Sequence, residues 1–136
     1  MVKLIMGLSG SGKTKTLVSL VREAADTAAG DVICIEKSRN LTYDIPSQVR
    51  LISASEYGIS GNALLEGFLM GLHAGNFDIT HVFIDDFYKL LDDRSNEAVE
   101  KLLNRLAAFS EQQSVTVTII ASADPATVSD GIRRFF

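Results

Sequence analysis

Five short apolar segments punctuate this sequence: VKLIM at 2–6, DVICIE at 31–36, VRLIS at 49–53, THVFID at 80–85 and VTVTII at 115–120. Each has the length of a buried strand, and most run into polar or glycine-containing sequence. Stretches of helical period separate most of them. Residues 13–28 place Leu17, Leu20, Val21, Ala24, Ala25 and Ala28 on one stripe, with Gly30 as a stop. Residues 61–74 form a second helical segment, ended by Gly75 and Asn76. Residues 96–112 form a third, with Val99, Leu102, Leu103, Leu106 and Ala107 at core spacing, Ser95 or Asn96 as cap, and Glu97 able to pair with Lys101. A last short helix is expected in PATVSDGIRRFF. Strands alternating with helices predict an α/β fold of three layers, α/β/α, around a mainly parallel five-stranded sheet.

The chain has 136 residues, enough for one domain over 1–136 that folds alone. A net charge of −4 gives no global basic face for nucleic acid. Cys34 is the only cysteine, which excludes an internal disulfide or a cysteine zinc site and suits a reducing cytoplasm. No signal peptide is expected, and no stretch approaches the roughly 20 apolar residues that span a bilayer.

Parallel sheets of this kind bind ligands beyond the carboxyl ends of their strands. The first strand leads into Gly7-Leu8-Ser9-Gly10-Ser11-Gly12-Lys13-Thr14-Lys15. This is the G-x-x-x-x-G-K-T pattern of a P-loop, or Walker A motif. Its glycines permit backbone conformations closed to other residues, so that N–H groups can wrap a phosphate. The helix behind adds unbonded N–H groups and a favourable dipole. Lys13 supplies a point charge to β- and γ-phosphates, and the Thr14 hydroxyl can ligate Mg²⁺. The fourth strand ends in Asp85, the Walker B pattern, which makes Asp85 the carboxylate on the metal side.

With these two motifs the chain resembles the P-loop NTPases of the RecA/AAA-like branch. The resemblance implies the P-loop NTPase fold, with bound ATP and Mg²⁺. It further implies that a strand following Walker B in sequence lies between the P-loop and Walker B strands and ends in a polar sensor residue. The segment 115–120, with Ser122 near its exit, is the candidate. Such proteins often carry a glutamate directly after the Walker B aspartate, to polarise the attacking water. Here Asp86 stands in that place, one methylene shorter, as candidate base or else a solvated carboxylate. Small stand-alone bacterial ATP-binding chains of this kind are often labelled twitching-motility (PilT-type) ATPases. Those are much longer, with an extra N-terminal domain and further acidic and histidine motifs for which this chain has no room.

The reading that follows is a Mg-ATP-binding protein with slow or partner-dependent ATPase activity. A small-molecule kinase and a non-catalytic nucleotide-sensing module stand as alternatives. A kinase needs a second substrate pocket, for which the segment 37–48 is the candidate. The guanine-reading string Asn-Lys-x-Asp does not occur, which favours ATP over GTP. Arg39, Arg133 and Arg134 are read as surface or helix-end charges rather than as phosphate-reaching fingers. A protein partner or a second copy of the chain is compatible with the sequence. Gly67, Gly71 and Gly75 form a ridge expected to pack closely on the sheet. His73 and His81 lack partners at metal spacing, and Cys34 is expected in the core.

Overall fold

A computed structural model describes all residues from Met1 to Phe136. The strands are β1 (Val2–Gly7), β2 (Asp31–Glu36), β3 (Arg50–Ser53), β4 (Ile79–Ile84) and β5 (Thr116–Ser122). The helices are α1 (Lys13–Thr27), α2 (Asn62–Gly75), α3 (Asn96–Gln113) and the single turn α4 (Asp130–Arg133). Short 3-10 turns follow β3, β4 and β5, at Ala54–Tyr57, Phe87–Leu90 and Pro125–Thr127.

All five strands are parallel and run in the order β1-β5-β4-β2-β3. The strand that follows β4 in sequence therefore lies between β1 and β4, the arrangement the resemblance implies. Parallel strands are covered on both faces, which explains their nearly unbroken apolar character. One face carries a core of 27 buried residues, built from α2, α3, the C-terminal segment and the inward side chains of the strands. The other face carries only 10, because α1 covers it with Leu41, Ile45 and Val49 from the long β2–β3 connection. That connection is thus held at three apolar points, and the Asp44 carbonyl accepts a bond from Arg22 Nε at 3.2 Å.

α1 buries Leu17, Val21 and Ala24, with Leu20, Ala25 and Ala28 partly covered. α3 buries Val99, Leu102, Leu103 and Leu106 as its period predicts, and the Ser95 hydroxyl caps it by accepting from the Ala98 amide at 3.2 Å.

Three local expectations fail. Gly30 does not stop α1, which ends at Thr27 with extended backbone at Ala28. A Cβ on Gly30 would lie 2.0 Å from the Asp78 carbonyl oxygen, so this glycine admits a close crossing of two backbones instead. Gly67, Gly71 and Gly75 do not pack on the sheet: all three are exposed, and a Cβ on any of them would meet nothing within 4 Å. Glu97 and Lys101 form no ion pair. The pair on α3 joins Arg105 to Glu66 of α2 at 2.5 Å, because the two helices lie side by side. This bond holds the Glu66 carboxyl below its ordinary range.

Candidate functional site

The carboxyl ends of the strands bring the two sequence motifs to one edge of the sheet. Gly7 is the last residue of β1, Leu8–Gly12 form the connection, and Lys13, Thr14 and Lys15 open α1. The connection begins with a tight turn in which the Ser11 amide donates to the Leu8 carbonyl at 3.2 Å. Gly10 and Gly12 take φ of +83° and +87°, a region where a side chain is strained. At Gly7 the loop curls back so far that a Cβ would stand 2.7 Å from Ser11 Oγ.

Helix α1 has no side-chain cap and no acid in its first turn. Its first helical bond runs from the Thr16 amide to the Gly12 carbonyl at 3.2 Å, which leaves the amides of Lys13, Thr14 and Lys15 without helical acceptors. α3, by contrast, is closed at its start by Ser95, whose side chain accepts from the Ala98 amide. Lys13 bends back over the loop, donating from Nζ to the Leu8 carbonyl at 2.7 Å and to Ser11 Oγ at 3.2 Å. The α1 amides without helical acceptors and the Lys13 ammonium thus share one short loop-to-helix segment, and Thr14 is exposed in the same turn.

Asp85 directly follows β4, and its amide donates to the Ile35 carbonyl at 2.8 Å. This bond extends the β4–β2 pairing by one residue and fixes where the side chain emerges. The Asp85 carboxylate accepts from the Asp86 amide at 2.9 Å. Burial holds its pKa above the ordinary carboxylate range, Asp86 and Glu36 add to the effect, and Lys13 opposes it. Lys13 thus lies close enough to act on Asp85, although β5 separates β1 from β4 and the two side chains form no ion pair. Asp86 takes φ of +55°, a left-handed backbone uncommon outside glycine, and opens the 3-10 turn. Its carboxylate faces Lys89 at 3.8 Å. Ser122 ends β5 directly opposite Gly7, and the Ala123 amide donates to the Gly7 carbonyl at 3.1 Å.

One acidic neighbour escaped the sequence. Glu36 ends β2, the strand beside β4, and is 1% exposed. Its carboxylate accepts from the amides of Asn40 at 2.7 Å and Leu41 at 3.3 Å. Burial raises its pKa, Asp86 adds to the rise, and the two amides work against it. Nothing in the string DVICIE separates this glutamate from an ordinary strand-end charge. Its only signal was an acid at the carboxyl end of a buried strand.

The other arginines stand apart from this cluster. Arg39 pairs with Glu56 beyond β3. Arg133 donates to the carbonyls of Pro125 and Ala126, and Arg134 bonds to the Asn104 side chain. The two C-terminal arginines therefore tie the last turn to its own chain. His73 is wedged between Phe77 and Phe109, both at 5.6 Å, and burial lowers the pKa of His81. Cys34 lies in the core, its thiol pushed up to about 12 by burial and by the nearby Glu36 and Asp85.

No helix is long and apolar enough to cross a membrane. No curated protein matches the sequence. The model of the ATPase family associated with various cellular activities (AAA) matches residues 3–136, essentially the whole of the sheet and both motifs. A five-stranded parallel sheet, a glycine loop at the end of its first strand and a match of this extent place the chain in the AAA family of nucleotide-binding ATPases.

Proposed function

We propose that residues 1–136 are one Mg-ATP-binding domain that hydrolyses ATP slowly or under the control of a partner. The observation that carries this reading is the meeting of an uncapped helix start and Lys13 with Asp85 at one edge of the sheet. The donor set suits the ligands. Backbone amides and an ammonium match phosphate oxygens, while a hydroxyl and a carboxylate match a hard divalent cation. No group of three or more His, Cys, Asp or Glu side chains could hold a metal by itself. A cation held by Thr14 and Asp85 therefore depends on phosphate and water for its other ligands.

In this reading Gly7–Lys15 cradle the triphosphate and Lys13 turns from the Leu8 carbonyl to the phosphates. Thr14 and Asp85 hold Mg²⁺, which when bound neutralises charge on the phosphate oxygens. Asp86 orients water as a general base, and Ser122, opposite Gly7, lies at the phosphate end of the sheet. The ion pair of Asp86 with Lys89 favours a second reading, in which the domain binds ATP and reports its presence without turnover.

The test is a titration of a fluorescent ATP analogue with Mg²⁺ into the protein and into Lys13→Ala, with phosphate release followed in the same samples. Binding lost in Lys13→Ala and release abolished by Asp86→Asn support the ATPase with Asp86 as base. Binding without release supports the sensing module. No binding to the wild-type chain overturns both.

A further inference from the structure

A second cavity, of about 210 Å³, lies along β3 and at the carboxyl end of β2. Six of its nine lining residues are polar or charged. Its charges can be followed one by one. The Glu36 carboxylate is occupied by the Asn40 and Leu41 amides. Arg39 and Glu56 neutralise each other. Ser53 Oγ lies 3.2 Å from Ser55 Oγ. Arg50 also lines the cavity, and the ion pairs of the chain join other residues. Glu36 is buried with its oxygens already bonded, so among the exposed charged groups of the cavity Arg50 is the one without an ion-pair partner; a guanidinium is the side chain best shaped to grip an oxyanion with two parallel bonds. Tyr57, 58% exposed and stacked on Phe68 at 6.4 Å, supplies a flat wall at the rim.

We propose that this cavity is a second ligand site, which takes a small oxyanion-bearing molecule, a phosphate or carboxylate compound, through Arg50. The volume is below the roughly 300–1,000 Å³ usual for drug-sized ligands, so the occupant is smaller than a nucleotide. Glu36 forms one wall of the cavity and helps to raise the Asp85 carboxyl. A molecule held there lies one strand away from the acids beyond β4. The proposal stands on this cavity alone and does not depend on what the glycine loop binds.

Inorganic phosphate is the probe, titrated into ¹⁵N-labelled Lys13→Ala while amide shifts are followed. Saturable shifts are expected at residues 39–42 and 50–57. Adding Arg50→Ala is expected to weaken this binding about tenfold or more, the worth of one charge-assisted contact. Arg50 is exposed at the start of an edge strand, so its replacement leaves the core intact; Arg50→Lys, which keeps the charge but loses the fork, should weaken binding by less. Absence of saturable shifts in these residues, or shifts unchanged by Arg50→Ala, overturns the proposal. Shifts at residues 7–16 report the glycine loop separately.

Discussion

Asp85 ties protonation to stability. Its carboxyl is held above the ordinary range chiefly by burial, so the folded chain holds this proton more tightly than the unfolded chain does. This contribution is fully present below the usual carboxylate range and is lost as pH rises toward the raised value. Asp85→Asn should therefore raise the melting temperature of the ligand-free protein at pH 8 by a few degrees. It should also flatten the pH dependence of melting across that window. Equal melting curves for the two proteins at pH 8 would refute the burial argument. Gly12 gives a second measurement. Its φ of +87° strains any replacement, and Gly12→Ala should cost about 1 kcal/mol in urea unfolding while weakening ATP analogue binding far more than that. A variant that binds normally would show that the loop tolerates a different path.

Helix α2 exposes Ala63, Leu64, Gly67, Gly71, Ala74 and Gly75 to solvent and turns Glu66 and His73 inward. Nothing within the chain approaches the three glycines. Gly67→Ala and Gly71→Ala should each stabilise the fold by about 1 kcal/mol in chemical denaturation, since alanine only gains helix propensity there. Destabilisation would mean that the ridge packs against something after all. Gly30→Ala should do the opposite and cost several-fold more, because its Cβ would meet the Asp78 carbonyl at 2.0 Å. The contrast marks what the sequence could say. Helix periods and strand hydrophobicity depend on near neighbours, and the stripes of α1 and α3 were legible for that reason. Whether a glycine faces a backbone or open water depends on a crossing many residues away. The glycine loop after the first strand and the place of Asp85 at the end of the fourth were legible because both follow from local sequence. Glu36 was not, because its role depends on which strand lies beside β4.

The sheet as a whole places β1 at an edge, with β5 as its only strand neighbour. The C-terminal segment closes the open side: the Leu4 amide donates to the Phe135 carbonyl at 2.8 Å, and Ile132 and Phe135 are buried beneath it. Ile132→Ala should destabilise the chain by about 2–4 kcal/mol, read from thermal or urea unfolding. A loss under 1 kcal/mol would show that the last turn is only loosely docked. The same contact has a consequence in time. Hydrogen exchange at Leu4 requires the last turn to lift from β1, so this single amide acts as a clock for that lifting. Gly7 ends the strand that carries Leu4. Anything that grips the final residues would therefore alter how long the glycine loop keeps a firm base.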